Sequence, residues 1–409
     1  MSFFYSGDTS IGLTSIYMKL VGLWMVANGV EKRIRNITLI YTLSMLIFAV
    51  AVMVVDMCYS CGDFSACVFA VCTVLSSIVP FIKIIILYIH KDEFFHLILY
   101  LERNFLHADY NDYERKILFG CKRQCTILIC LSTLLTQFTV ICYIIKPIIA
   151  NISRNETENR VLPFNLWVDL PLTVTPYYEI TFCIQTLSAY HVGVSFFCFD
   201  NCLCIINLHT ASQFRILQYR LANMPDLKCE GKQQIEKSSS SNYSDNCYIL
   251  FKKYTRQHQA LLAYCEIIEK VFTEIILAEL LTFSLFICLD GFQVLMPGAS
   301  LTTRFIFSFH LIACLCQLLM LTYSCDRIIQ ESANVRIAVY NGPWVNLPLT
   351  TSGMQFRKDL IFFIMRSSEA CCLTAKGFVT VSLETYTKVL STAVSYFTLL
   401  SQSEEASRL

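Results

Sequence analysis

Charge is scarce in this chain. Asp, Glu, Lys and Arg make up 15% of its 409 residues, where a soluble domain carries about 25%. Glycine and proline are also few, at 13 and 9, which argues against a loop-rich chain or a β-solenoid and for long helices. The net charge is only +1, so nothing points to nucleic acid as a partner. Catalytic signatures are missing too: there is no His-Glu-x-x-His, no Gly-x-Ser-x-Gly and no phosphate-cradling glycine loop. No enzymatic activity and no cofactor are therefore expected. The first Lys or Arg is Lys19, so the basic start of a cleavable signal peptide is not expected either.

What is present is apolar surface: 55% of the residues are hydrophobic, and mean hydropathy is +0.53. Cysteine is abundant at 21, yet Cys67, Cys72, Cys130, Cys142, Cys183, Cys288, Cys314 and Cys316 lie inside apolar runs, where they read as small hydrophobes. Cys58 and Cys61 form a solitary Cys-x-x-Cys in a short loop, a spacing for a local disulfide or free thiols rather than zinc.

A spanning helix needs about 20 mostly apolar residues. Seven stretches meet that length: 37–55, 64–89, 126–149, 177–203, 272–295, 305–323 and 374–400. The expected fold is all-α, a polytopic membrane protein with seven transmembrane helices in one membrane domain over 1–409. Ile11 to Val30 reads as a short re-entrant or interfacial helix. Lys83 falls near the far end of the second span, roughly 30 Å along its axis, where its stem is expected to snorkel to a membrane face.

Basic residues orient the chain. Apart from Lys83, Lys376 and Lys388 inside spans, 24 Lys and Arg fall before the first span or in alternate loops, and five fall on the other side. Positive residues favour the cytoplasm, so the N-terminus is expected inside and the C-terminus outside, the inverse of a G-protein-coupled receptor. Of the sequons at Asn36, Asn151, Asn155 and Asn242, only Asn151 and Asn155 then fall in an outer loop, 150–176. Glycan is expected at Asn155, not at Asn242.

The long cytoplasmic loop, 204–271, has a polar middle, 228–245, that reads as a mobile insert. Its flanks, Gln213 to Ala222 and Tyr248 to Lys270, show helical periodicity. Residues 355–372 read as another cytoplasmic helix. Together these extensions are expected to form an anchor bundle below the membrane.

The last span is unusual. Glu384 and Lys388 stand four apart, Glu first, the favourable order for an i,i+4 pair. Their face continues through Ser391, Thr392 and Ser395 to Leu399 and Gln402. A charge at the centre of a lipid-facing helix costs roughly 2.5–3.5 kcal/mol, so this stripe must be covered or wet. Spacing leaves two readings: a helix–helix contact through hydrogen bonds, or the wall of a gated, water-filled pathway.

The residues around this stripe carry a resemblance. Leu373-Thr374-Ala375-Lys376-Gly377 is followed by Ser382-Leu383-Glu384-Thr385-Tyr386 and then by Tyr396-Phe397-Thr398-Leu399-Leu400. This run resembles the C-terminal signature of insect odorant receptors. Tyr340 through Trp344 to Leu347-Pro348 is similar to the segment that precedes that family's last helix, and Leu162-Pro163-Phe164 through Tyr178-Glu179 to its second extracellular loop. Lys376 stands where the family usually has a small residue, and Ser368-Glu369-Ala370 replaces a common Gln-Lys-Pro. Ala375 to Leu383 resembles a run of the family's co-receptor, but that protein has a larger loop between helices four and five, so the chain looks like an odorant-tuned subunit.

The resemblance implies a ligand-gated, non-selective cation channel in the plasma membrane of sensory dendrites, a heterotetramer with the odorant receptor co-receptor, gated by a small volatile. It implies a pore lined by the seventh helix, with Leu399 as gate, Gln402 as a polar ring beside it, and Ser395, Thr392, Lys388 and Glu384 along the wall. It also implies an odorant pocket in the outer halves of helices two, three, four and six. There the candidate residues are Val68, Phe69 and Cys72; Phe138, Ile141 and Cys142; Tyr178, Thr181 and Phe182; and Phe305, Ser308 and Phe309, an apolar lining suited to a volatile. A gustatory receptor of the same superfamily is the alternative, since Ser395-Tyr396 and Gln402 approximate that group's hallmark. A G-protein-coupled receptor is opposed by the charge topology.

Overall fold

The structure is a computed structural model that describes residues 8–408 apart from 26–27, 61–63, 155–159, 168–171, 173, 225–239, 297–300, 343 and 345–346. Long helices dominate the described residues, as the scarcity of glycine and proline requires. In chain order they are α1 (Thr9–Val21), α2 (Gly29–Ser60), α3 (Phe64–Ile89), α4 (Lys91–Tyr100), α5 (Asp112–Arg154), α6 (Tyr177–Ala222), α7 (Ser240–Leu295), α8 (Leu301–Tyr340), α9 (Thr351–Arg366) and α10 (Leu383–Arg408). A π-helical turn, Leu101–Leu106, follows α4, and a two-stranded hairpin, β1 (Thr374–Ala375) and β2 (Val379–Thr380), precedes α10.

Six of these helices, α2, α3, α5, α6, α7 and α8, are long and apolar enough to cross a membrane. Lone hydrophobic side chains such as Ile40 and Ile47 on α2, and Ile127, Leu134, Ile141 and Ile145 on α5, face outward, as a lipid-facing surface requires. The last helix does not join the six, because its polar stripe dilutes its hydropathy. It also starts later than expected. Residues 374–380 form the hairpin, so the helix begins at Leu383 and not at Thr374. The hairpin turn places Lys376 at φ 54° and Gly377 at φ 76°, the left-handed pair that a type I′ turn needs. Lys376, the departure from the small residue usual there, pays about 1–2 kcal/mol for that conformation, and its ammonium meets Glu274 at 2.6 Å.

The 46 residues of α6 and 56 of α7 run to roughly 70 and 85 Å at 1.5 Å per residue, far beyond a hydrocarbon core of about 30 Å. Their lower ends pack with α4, α5, α8 and α9 into a bundle within the one chain. Arg220 chelates Glu114 through Nε at 2.6 Å and NH2 at 3.1 Å. Tyr264 donates to the Leu97 carbonyl, and Tyr248 to Asp359. Phe251 lies between Phe356 and Phe363. The expected anchor bundle is thus present, but its last helix is Thr351–Arg366 rather than 355–372, capped by the Thr350 hydroxyl accepting from the Gly353 amide. Residues 240–245 of the expected insert are the first turns of α7; 228–239 lie outside the described residues.

The N-terminal segment is one short helix, α1, stopped by Gly22 in the left-handed region at φ 89°. A Cβ there would meet the Leu39 backbone at 2.5 Å, so both the turn and the close approach of α2 require glycine.

Candidate functional site

Among α2, α3, α5, α6 and α8 lies a cavity of about 110 Å³. Its walls are Phe48, Val52 and Met53 from α2, Val140 and Tyr143 from α5, Val192 and Phe196 from α6, and Ala313 from α8, with a seam of hydroxyls and amides between them. An apolar chamber of this order holds a benzene-sized guest.

Most polar groups of the lining are already engaged. Ser76 donates to the Cys72 carbonyl, Ser77 to Thr73, Thr136 to Ser132 and Thr139 to Leu135, each one turn back on its own helix. Ser188 donates across to the Met45 carbonyl at 2.9 Å. His310 Nδ1 is 2.7 Å from Asp290 Oδ2. Gln317 differs: it is buried on the cavity wall, and its Nε2 has no hydrogen-bond partner. A buried amide donor without a partner costs about 1–3 kcal/mol, so Gln317 is a ready donor to an oxygen on a guest.

The cavity has a roof and a floor. The roof is Phe164, in the loop after α5. Its amide donates to Gln185 Oε1, and its carbonyl accepts from Gln185 Nε2. Farther along, Asn165 and the Trp167 indole both donate to Asp56, and Trp167 stacks on Tyr59 at 4.5 Å. The loop is therefore tied to α2 and α6 directly over the chamber. The floor is Phe196, whose carbonyl accepts from Lys83 Nζ at 2.9 Å and whose ring lies 4.9 Å from it.

Lys83 overturns its sequence reading. It does not snorkel: it is fully buried and pairs with Asp200 at 2.7 Å and Glu279 at 2.5 Å. The triad ties α3, α6 and α7 together one layer beneath the cavity. Axial distance alone placed Lys83 at a membrane face, but α6 and α7 bring two carboxylates to the same depth, and a buried cation goes where it is paired.

None of the twelve expected pocket residues lines this cavity. They lie on α3, α5, α6 and α8, at other positions than the lining. Phe138, Ile141 and Phe305 are exposed, and Phe305 and Phe138 pack on Phe309. Val68 is buried, Phe69 packs on Phe307, and Cys72 faces Asp290. Tyr178 packs with Phe182, Ser308 donates to the Arg304 carbonyl, and Thr181 and Cys142 are half-buried. On α3 the lining starts at Thr73, next to Cys72, and continues through Ser76 and Ser77 one turn on. Small polar residues three and four apart inside apolar spans were the available signal for this lining; a choice of outer-half residues did not use it and did not include α2.

The Asn151 amide is committed, donating to the Val161 carbonyl at 3.0 Å and the Tyr178 hydroxyl at 2.8 Å. A glycan on that nitrogen would displace both bonds. Asn155 lies outside the described residues.

The polar stripe of α10 has the opposite character to the cavity. Glu384, Lys388, Thr392, Ser395, Leu399 and Gln402 are all exposed, and Glu384 pairs with Lys388 at 2.7 Å. The opposite face, with Thr385 and Ala393 buried, rests on α7 and α8. The hairpin holds the root of this helix: Glu269 accepts from the Thr374 amide and hydroxyl, and Thr273 donates to the Thr374 carbonyl.

Comparison with known proteins gives one consistent result. The family model described as 7tm Odorant receptor matches residues 63–394. Odorant receptor 13a of Drosophila melanogaster is 23% identical over 351 residues, covering 80% of this chain and 78% of that one. Odorant receptor Or2 of Anopheles gambiae is 21% identical over 291 residues, covering 71% and 72%. In structure the chain is similar to the insect olfactory receptor OR5 from Machilis hrabei, with a TM-score of 0.78 at 13% identity over 95% of this chain and 97% of that one. A second structure of that receptor, in complex with eugenol, matches equally well.

Proposed function

This chain belongs to the 7tm odorant receptor family, and from that premise we propose that it is an odorant-gated cation channel subunit whose ligand occupies the cavity under Phe164. One arrangement carries the reading. The chain encloses a small, mostly apolar chamber while leaving the polar stripe of α10 without cover of its own. A volatile satisfies the first, and copies of the same helix arranged around a central pathway satisfy the second.

In this reading α10 is the seventh span, with the N-terminus cytoplasmic and the anchor bundle beneath the plasma membrane. The partner subunits are the odorant receptor co-receptor, and Leu399 with Gln402 narrows the pore near its outer end. The guest displaces little bound water from an apolar wall and offers an oxygen to Gln317. It opens the pore only by the difference in its affinity for the open and closed arrangements. The cavity's floor and the root of α10 both rest on α7, through Glu279 and through Glu269 with Thr273. A shift of α7 is thus the mechanical link available between them.

Two-electrode recording from oocytes co-expressing this chain and the co-receptor tests the proposal. The expected result is a cation current evoked by oxygen-bearing volatiles that persists when G-protein signalling is blocked. No current to any member of a broad odorant panel, with the chain at the surface, would overturn it.

A further inference from the structure

A second polar cluster stands apart from the cavity, on the anchor side of the helices. Cys121 and Cys125 are one turn apart on α5 and so share a face, and His209 reaches them from α6. The two sulfurs and a ring nitrogen all lie within 4.8 Å of one another. All three residues are buried, His209 and Cys125 completely. The polar group that the His209 ring meets is the Cys121 thiol, a weak partner, and neither ring nitrogen makes a hydrogen bond of full geometry. A neutral imidazole always carries one N–H and one lone pair, so a sealed ring with a single thiol beside it leaves one nitrogen over, which an ion would engage.

The nearby charges suit a cation. Asp8 caps α1, its carboxylate accepting from the Ser10 amide and hydroxyl. Its field reaches both His209 and Cys125, and Lys122 stands 4.0 Å from its other oxygen. With two thiolates, a divalent ion, Asp8 and Lys122, the formal charges cancel. A cavity of about 240 Å³ lined by Cys121, Ser212 and Gln124 offers a way in.

We propose that Cys121, Cys125 and His209 bind a zinc ion that pins α5 to α6. Zinc takes two thiolates and an imidazole at about 2.3 and 2.0 Å, distances that a donor set of this spread reaches by small side-chain rotations. One coordination position remains. Binding forms two Zn–S bonds and one Zn–N bond, and the two thiols release two protons, so affinity rises with pH. Three protein donors leave the fourth position to a water or a further ligand, and the role of the ion is to fix α5 against α6 on the anchor side. Nothing in it depends on the odorant reading, because the donors lie outside the cavity and off the α10 stripe.

The test uses the full-length receptor purified in detergent and loaded with Co²⁺ as the optical probe. Thiolate-to-cobalt charge-transfer absorption with tetrahedral d–d bands, displaced by Zn²⁺, is expected. It should be lost in Cys121→Ser/Cys125→Ser and in His209→Gln, and kept in Cys130→Ser on the same helix. Absence of charge-transfer absorption in the wild type, or its survival in the double variant, would overturn the assignment. Zinc-edge X-ray absorption on the wild-type protein needs no variant to fold. Two sulfurs with one imidazole support the site. One sulfur, as Asp290, His310 and Cys314 would supply, or none, rejects it.

Discussion

Gln317 and Lys83 show how single buried groups set the properties of the chamber. Gln317 offers the guest an unpartnered donor, and one hydrogen bond is worth about 1 kcal/mol net, or roughly five-fold in affinity. Gln317→Leu should therefore weaken oxygen-bearing ligands by about that factor in dose–response recordings, while a hydrocarbon ligand of the same size keeps or gains potency. Equal losses for both would assign Gln317 to packing. Lys83 neutralises one of two buried carboxylates, and removing one partner of a buried ion group costs roughly 3–5 kcal/mol. Lys83→Met should sharply lower the thermal stability of the purified receptor, and adding Asp200→Asn should restore part of it, since that removes one of the stranded charges. A thermal midpoint unchanged in Lys83→Met would mean that the triad contributes nothing to the fold.

At the scale of elements, α10 is the one whose surface is at odds with its own chain. Tyr386 and Val389 pack on the core, while Leu399 is 63% exposed among hydroxyls and amides. A hydrophobic constriction gates by excluding water, so Leu399→Ser should raise the ligand-independent current relative to wild type at equal surface expression. An unchanged resting current would remove Leu399 from the gate. The hairpin before α10 shows why its start was misplaced by reading the chain alone. Residues 374–382 are apolar enough to look like a first helical turn. Two successive left-handed residues at Lys376 and Gly377 and the Glu269 clamp on Thr374 instead fold them back. The apolar runs of α2, α3, α5, α6, α7 and α8 were readable because in lipid an apolar segment satisfies its backbone only as a helix.

At the scale of the whole molecule, the anchor bundle should confer a pH dependence of its own. His258 sits on α7 between Phe214 and Phe363. Burial, and secondarily Arg366, lower it from 6.5 to about 4. A base whose folded value is depressed is neutral in the fold but takes up a proton when unfolded. Its contribution is complete above about pH 6.5 and is lost as pH falls toward about 4, below which both states are protonated. Thermal unfolding of the purified receptor should therefore show a stability loss over that interval, flattened in His258→Phe. The same loss in the variant would place the cause elsewhere.

The sequence by itself determined the class of molecule: long apolar runs with few charges, a skewed distribution of Lys and Arg, and a C-terminal motif that the family comparison bears out. It also marked the stripe of α10, because charges at helical spacing in an apolar setting stand out in one dimension. It could not place the chamber. Twelve residues chosen from the outer halves of four helices lie off its lining, since whether a side chain faces lipid, a neighbour or a void depends on how five helices rotate against one another. The same is true of Lys83. Its place in sequence suggests an edge, and only the tertiary fold brings Asp200 and Glu279, 117 and 196 residues away, to the depth where the three charges can be buried together.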